Sequence, residues 1–376
     1  MRIPFNRPYM AGRELEYIRQ AHANGRLAGD GAFTKRCSTW LQRATGCERA
    51  LLTHSCTGAL ELAALLLDIR PGDEIIMPSF TFVSTANAFV LRGAVPVFVD
   101  VRSDTLNIDE RGIEAAVTPR TRAIAVVHYA GVACEMDAIL EIAARHRLAV
   151  VEDAAQAVLA SYRGRPLGAI GDLGTLSFHE TKNVLSGEGG ALLLRDAALV
   201  ARAEILWEKG TNRSSFFRGE VDKYTWVDIG SSFLPGELIA AFLCAQLEQA
   251  EVVTERRRAV WERYYAGFAD LERAGRARRP VVPPHCGHNG HLFYLLLPDE
   301  AARARTIAAL ANRGIGAHFH YVPLHSSPAG RRYGRACGSL DATDDAAARL
   351  VRLPLWPGIE EVLDEVIDAV RQIAGA

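Results

Sequence analysis

The sequence is poor in lysine, in long apolar runs and in paired cysteines. No window approaches the ~18 consecutive apolar residues of a membrane-spanning helix, and the opening MRIPFNRPYM lacks the apolar run of a secretory signal. The seven cysteines are an odd number and form no CxxC pair, which argues against a disulfide framework and against a zinc site. We therefore expect a protein of the reducing cytoplasm that crosses no membrane and binds no metal.

Excess charge of one sign is also missing, since the formal net charge is −1. Such a chain has no long-range field for nucleic acid or an anionic membrane, and we expect neither as a partner. Of the 43 basic residues only four are lysine, and the rest are arginine. Chemistry that needs a primary amine is therefore restricted to Lys35, Lys182, Lys209 and Lys223.

Apolar strand-like runs alternate with helical periodicities through residues 49–195. RALLT, EIIMP and AIAVVHY each precede a helical stretch, and TLSFH and GGALLLR complete the series. Several of these strands are apolar throughout, which is typical of parallel strands covered on both faces. The pattern predicts an α/β fold with a mostly parallel central sheet flanked by helices. Ligands are expected at the carboxyl ends of the strands.

The pattern changes after about residue 235. A long helical stretch over 237–270 is predicted to bridge two parts of the chain, and strands are predicted over 291–298 and 317–323. A length of 376 residues suggests about two domains. We predict a large α/β domain over 1–240 and a smaller C-terminal α+β domain over 241–376.

Four segments carry residues that together suit pyridoxal-phosphate chemistry. Lys182, in the turn of LSFHETKNVLSGEGG, supplies an amine for a Schiff base, and Asp153 ends a buried strand, where it suits a cationic ring nitrogen. Thr57 lies where a helix begins, which favours phosphate, and Phe82 offers a flat side chain to cover the ring. Each also has a plainer explanation: a solvated turn, a cap or turn residue, an ordinary N-cap and a core aromatic. Their joint occurrence at strand ends favours the cofactor.

The motifs FHETKN and GEGG, with VVEDAAQ and PSFTFVSTANAFVLRGAVPVFVDV upstream, resemble the nucleotide-sugar aminotransferase family of fold-type-I pyridoxal-phosphate enzymes. The resemblance runs from NRPYMAGRELEYI to the last helix. Segments such as GDGAFTKRC, HYAGVACEMD and YVPLH are similar to the subgroup of TDP-4-amino-4,6-dideoxygalactose transaminases. The resemblance implies fold type I and a homodimer with its active site at the subunit interface.

The resemblance also implies a role for each matching residue. Lys182 bonds the cofactor and moves the proton between cofactor and sugar carbon, Asp153 pairs with the pyridine nitrogen, and Phe82 stacks on the ring. The other implied cofactor contacts are Gln156 at the phenolic oxygen and, at the phosphate, Thr57, Gly58, Ser177 and the partner-reaching Ser232, which replaces the usual Asn. Relatives that remove a hydroxyl group carry His in place of the lysine, so Lys182 favours amino transfer.

The implied reaction moves the amino group of L-glutamate to the 4-keto group of a nucleotide-linked sugar, in first place dTDP-4-keto-6-deoxy-D-glucose. A 4-keto pentose nucleotide and a fold-type-I lyase or aldolase are the alternatives. A non-catalytic sensor would lack the lysine or carry a DNA-binding module, and neither is seen. Candidates for binding the nucleotide sugar, each with an alternative structural role, are His128, Arg213, Arg218, Lys223, His320, Tyr321 and His325.

Overall fold

The structure is a computed structural model that describes residues 2–375. Its helices are α1 (Glu14–Ala23), α2 (Ala32–Thr45), α3 (Cys56–Leu66), α4 (Val83–Val90), α5 (Glu110–Ala116), α6 (Met136–His146), α7 (Val200–Trp207), α8 (Arg213–Phe217), α9 (Glu237–Leu247), α10 (Ala250–Gly267), α11 (Ala269–Arg273), α12 (Glu300–Asn312), α13 (Pro328–Tyr333), α14 (Asp341–Arg349) and α15 (Leu363–Gly375). Its strands are β1 (Arg49–Thr53), β2 (Glu74–Pro78), β3 (Val95–Val99), β4 (Thr121–Val127), β5 (Ala149–Asp153), β6 (Ser161–Tyr162), β7 (Arg165–Pro166), β8 (Leu173–Ser177), β9 (Gly190–Leu194), β10 (Cys286–Gly287), β11 (Phe293–Leu296), β12 (Arg335–Ala336) and β13 (Leu350–Leu353).

The central sheet has eight strands in the order β1-β9-β8-β5-β4-β2-β3-β12. Strand β9 pairs antiparallel with both of its neighbours, and the other adjacent pairs are parallel. Strands β1, β8, β5, β4 and β2 therefore end at the same edge. This arrangement confirms the predicted α/β fold with a mostly parallel sheet.

Both faces of the sheet are covered by helices, which explains the continuous apolar runs of its strands. On β2, Ile76 joins a buried cluster with side chains of α2, α6 and α9. Its neighbours Ile75 and Met77 point to the opposite face and join a second cluster with α3, α4 and α7. Burial on both faces fixes the strand register, because a shift by one residue would exchange the two faces.

The C-terminal part of the chain has its own buried cluster, built from α10, α12, α15 and the two-stranded sheet of β11 and β13. It is joined to the first part at several places. Ile3 packs in this cluster, β12 extends the central sheet beside β3, and β10 pairs with β6. The division of the chain near residue 240 stays a prediction. No helix within residues 2–375 is long and apolar enough to cross a bilayer.

Two predicted elements differ from the structure. The single helix over 237–270 is broken at Glu248 and Gln249, because α9 is buried against α1 and α2 whereas α10 is buried in the C-terminal cluster. The strand over 317–323 is reduced to one bridge, between His318 and Arg352. Beyond that bridge the side chains turn toward a cavity and the strand periodicity is lost.

One buried carboxylate ties the two helices α2 and α9 together. The Glu237 side chain accepts backbone hydrogen bonds from Gly31, Phe33 and Thr34 at 3.1, 2.8 and 2.9 Å. It therefore caps the N-terminus of α2 from the first turn of α9.

We predict that Glu237→Gln lowers the free energy of unfolding by about 1.5–3 kcal/mol, because a neutral amide replaces a carboxylate that accepts several N–H groups. Urea denaturation measures the change. Glu251→Gln, at an exposed position of α10, is the control and is expected to have wild-type stability. Equal stability of both variants would contradict this role of Glu237.

Candidate active site

A cavity of about 550 Å³ lies at the edge where the parallel strands end. Most of the predicted cofactor residues, and two of the predicted substrate residues, line it together: Thr57, Phe82, Asp153, Gln156, Ser177, Lys182, His320 and Tyr321. The structure thus brings together side chains that are up to 264 positions apart in sequence (321 − 57). These residues meet at the carboxyl ends of the parallel strands, where a ligand site was expected.

Lys182 lies in the connection between β8 and β9, with its backbone N–H donated to the carbonyl of His179 at 2.9 Å. Burial lowers the pKa of the amine, and the charge of Arg352 lowers it further, whereas Cys56 and Asp153 oppose the change. A lowered pKa increases the fraction of neutral amine near neutral pH. The neutral amine is the form that can attack a carbonyl carbon or accept a proton.

Asp153 ends β5 and is buried. Thr85 donates its hydroxyl to Oδ2 at 2.7 Å, and the backbone N–H of Ala155 is donated to Oδ1 at 3.2 Å. Burial raises the pKa of this carboxyl, while the two hydrogen bonds and the charge of Lys182 lower it. A buried carboxylate held in this way suits a cationic ring nitrogen, so Asp153 fits its predicted role.

The N-terminus of α3 forms one end of the cavity. Ser55 is the N-cap and accepts the N–H of Gly58 at 3.0 Å, so the cap competes with the phosphate contact predicted for that amide. The hydroxyls of Thr57 and Ser84 are hydrogen-bonded to each other at 2.7 Å, and Ser177 lies on the same cavity wall. The first N–H groups of a helix and three hydroxyls form a suitable cradle for a phosphate.

The glycines of GEGG also have a role in this end of the cavity. A Cβ atom at Gly190 would overlap the backbone of Ser55 and Cys56. Gly187 has a φ of +80°, which disfavours residues with a side chain. The segment therefore serves both a tight turn and the close approach of β9 to the start of α3.

The opposite walls carry flat side chains. Phe82 is the N-cap residue of α4 and is 58% exposed where it lines the cavity, unlike a core aromatic. Gln156 accepts the N–H of Ala130 at 2.7 Å and donates to the hydroxyl of Tyr321 at 3.0 Å. His320 is hydrogen-bonded to the hydroxyl of Tyr129 at 3.1 Å. These residues fit a planar ring held between Phe82 and the polar groups.

The remaining predicted residues do not line the cavity. His128 is fully buried, with Nε2 hydrogen-bonded to Glu152 at 2.8 Å and Nδ1 accepting the N–H of Cys134. His325 is hydrogen-bonded to the hydroxyl of Ser79 at 2.8 Å. For these two histidines the geometry favours the structural role over substrate contact.

Four further candidates are not among the residues that line this cavity. Arg213 pairs with Glu208 at 3.2 Å, and Arg218 pairs with Glu204 at 2.7 Å. Lys223 and Ser232 are exposed. Within one chain none of the four reaches the cavity, so their roles stay predictions that depend on a second subunit.

Several cavity residues were not predicted from the sequence. Arg257, His291 and Arg352 line it from the C-terminal part of the chain, and Phe5 and Asn6 line it from the first residues. No motif marks them. The arginines are two of many in an arginine-rich sequence, and the N-terminal pair is brought in only by the tertiary fold.

Known proteins are similar to this chain over almost its whole length. The model of the DegT/DnrJ/EryC1/StrS aminotransferase family matches residues 8–371. The chain belongs to this family. The spore coat polysaccharide biosynthesis protein SpsC of Bacillus subtilis (strain 168) is 34% identical over 386 residues, which cover 99% of this chain and 97% of SpsC.

Solved structures agree with the family match. The aminotransferase TlmJ from Streptoalloteichus hindustanus has a TM-score of 0.91 and 31% identity, and the match covers 100% of this chain and 99% of TlmJ. Spr1654 from Streptococcus pneumoniae, in its PMP form, has a TM-score of 0.91 and 25% identity, with 99% of each chain covered. Its PLP form matches equally well. The predicted fold type, aminotransferase activity and pyridoxal-phosphate cofactor are confirmed.

We predict that Thr85→Val weakens retention of the cofactor about fivefold, the equivalent of one hydrogen bond of about 1 kcal/mol to Asp153. Loss of this bond raises the pKa of Asp153, so the carboxylate is protonated at a higher pH. The acidic limb of a plot of cofactor affinity against pH should therefore move to higher pH, as measured by equilibrium dialysis. Thr85→Ser keeps the hydroxyl and should restore the wild-type profile; an unshifted limb in Thr85→Val would contradict the argument.

Proposed function

We propose that this protein transfers the amino group of L-glutamate to the 4-keto carbon of a nucleotide-linked 6-deoxyhexose. The first candidate substrate is dTDP-4-keto-6-deoxy-D-glucose, and the product is then a dTDP-4-amino-4,6-dideoxyhexose. The observation that carries the proposal is a half-buried amine, Lys182, that shares one cavity with the buried carboxylate of Asp153 and with a helix N-terminus. The similarity of GDGAFTKRC, HYAGVACEMD and YVPLH to 4-amino-sugar transaminases supports the choice of sugar.

The cavity residues that match the predicted cofactor site each have a task in such a reaction. Pyridoxal phosphate supplies an aldehyde that accepts the amino group and a ring that withdraws electrons from the carbon that loses its proton. Asp153 would pair with the ring nitrogen, and Phe82 would cover the ring. Thr57 and Ser177, together with the first turn of α3, would hold the phosphate. Because these groups are held by the sheet, little reorganisation is needed during the reaction.

Lys182 is the proton carrier. Its amine is neutral more often than that of an exposed lysine, because burial lowers its pKa. The Nζ atom can therefore take the proton from the donor's α-carbon and, in the second half of the reaction, give a proton to the sugar carbon. The face of the sugar that meets Nζ decides the configuration of the new amine.

We also propose that the enzyme is a homodimer. The segment from the start of α8 to Trp226, which forms a β-bridge with Thr211, exposes a group of aromatic side chains. Trp226 itself is 76% exposed. Arg213, Arg218 and Lys223 lie on the same stretch. A partner subunit that covers these aromatics would bring the cations of this chain toward the partner's cavity, where the nucleotide diphosphate needs positive charge.

The protein is expected in the cytoplasm, and its seven cysteines are free.

The proposed activity is tested with purified protein, glutamate and a panel of keto-sugar nucleotides that includes hexoses, a 4-keto pentose, and TDP and UDP carriers. We expect 2-oxoglutarate together with an amino sugar, identified by mass spectrometry, from the 6-deoxyhexose substrate. Lys182→Ala should lose turnover while it keeps its fold, because no other neutral amine lines the described cavity. Preference for the pentose would replace the proposed sugar, and turnover by Lys182→Ala would reject the assigned proton carrier.

The dimer is tested by sedimentation of a charged variant. Trp226→Asp is expected to convert the dimer into a monomer and to reduce transamination, since a charge is placed in a desolvated contact. Tyr333→Asp, an aromatic that is 44% exposed on α13, is the control and should remain dimeric. A wild-type protein that sediments as a monomer would refute the proposal.

A further inference from the structure

One wall of the cavity is rich in positive charge. The basic side chains that line the cavity are His179, Lys182, Arg257, His291, His318, His320 and Arg352, whereas Asp153 and Glu188 are the acidic ones. Burial lowers the pKa of His320 and of His291, and the nearby cations lower both further. The two histidines are thereby neutral, and the fixed positive charge of this wall belongs to the guanidinium groups.

The two arginines use their donors differently. Arg257 donates Nε to the carbonyl of Gly290 at 3.1 Å and Nη2 to the carbonyl of His291 at 2.5 Å. Its side chain is buried and connects α10 to the segment before β11. These contacts give Arg257 a structural task that explains its position.

Arg352 has no comparable set of partners. Only Nη2 is used, in a 3.0 Å hydrogen bond to the carbonyl of Phe319, and the buried Nε has no hydrogen-bond partner among the described residues. No carboxylate within residues 2–375 forms an ion pair with the Arg352 guanidinium, so a ligand carboxylate could take that place. A buried donor without a partner needs an explanation, because most such groups in folded proteins are satisfied.

The guanidinium is nevertheless held in place. Arg352 lies on β13, opposite Tyr294, and its backbone pairs with His318 on the other side. Its Cζ atom lies 4.8 Å from the centre of the Phe5 ring. A planar guanidinium fixed by a strand and an aromatic ring is arranged to bind a carboxylate through two parallel hydrogen bonds.

We propose that Arg352 binds the carboxylate of the amino donor that is adjacent to its reacting amino group. This inference rests on the proposed function. Arg352 lines the same cavity as Lys182, the residue proposed to meet the reacting carbon, and its charge lowers the pKa of the Lys182 amine. The α-carboxylate of an amino acid is one bond from that carbon, whereas a whole sugar ring separates a nucleotide diphosphate from it. The helix N-terminus of α3 forms a separate anion site for the cofactor phosphate.

The test uses the holoenzyme and measures binding and each half of the reaction separately. Arg352→Gln is expected to raise the dissociation constant of glutarate, measured by calorimetry, about 10- to 150-fold, the effect of losing a charged hydrogen-bonded pair. The rate constant kcat/KM for glutamate should fall by a similar factor. The half-reaction of the preloaded PMP enzyme with the keto-sugar nucleotide should keep its wild-type rate. Arg352→Lys, which keeps the charge but loses the planar fork, should lie between the two.

Arg305→Gln, at an exposed position of α12 outside the cavity, removes the same charge and should behave like wild type. Donor analogues locate the carboxylate: the preference for glutamate over γ-aminobutyrate, which lacks the α-carboxylate, should shrink in Arg352→Gln. If the preference over α-aminobutyrate shrinks instead, or if glutarate binding is unchanged, the inference is wrong. A loss confined to the sugar half-reaction would assign Arg352 to the nucleotide phosphates and also overturn it.

Failure of the proposed function has a different signature. A wild-type enzyme that reacts with glutamate but accepts no keto-sugar nucleotide would reject the proposed substrate. The glutarate and glutamate measurements would still decide the role of Arg352.

Discussion

The site depends on keeping a carboxylate charged although its side chain is almost fully buried. Asp153 is buried at the end of a strand inside a covered sheet, and burial alone would favour its protonated form. The hydroxyl of Thr85, the amide of Ala155 and the amine of Lys182 oppose this tendency. The same burial acts on Lys182 in the opposite sense and favours its neutral form. The same cavity thus holds an anionic counter-charge and a more readily neutral amine, which have different tasks.

The distribution of polar groups divides the cavity into regions. The sheet and the helix that follows β1 provide a negative residue and a phosphate cradle, and they come from the first half of the chain. The C-terminal part provides a wall of aromatic and basic groups that include Tyr321 and Arg352. In the proposed function, cofactor and substrates would therefore be recognised by different parts of the fold.

Sequence reasoning was strongest where a local pattern has a single physical cause. Apolar runs predicted the covered strands, and the scarcity of lysine, with the motif around it, predicted Lys182. The pattern did not predict the break at Glu248, because no glycine or proline separates the two helices in the sequence and only the change of packing partner divides them. It also did not predict that β9 runs antiparallel to its neighbours.

The substrate side of the site could not be predicted in the same way. His128 and His325 are polar residues near strand ends, as the prediction required, but hydrogen bonds to Glu152 and Ser79 occupy them. Arg352 carries no motif, and its importance comes from the partners that it lacks in three dimensions. Such a property depends on every neighbour at once, and a single sequence does not contain it in local form.

Phe5 and Asn6 line the cavity because the last third of the chain holds the residues before them in place. Ile3 exchanges backbone hydrogen bonds with Gly314 and Gly316, and Trp356 donates its indole N–H to the carbonyl of Pro4 at 3.0 Å. These contacts bring Phe5 to the guanidinium of Arg352. The segment around Ile3 can therefore form these contacts only after more than 300 later residues have been synthesised. The strand-end half of the cavity can form early, and the wall that faces the substrates closes last.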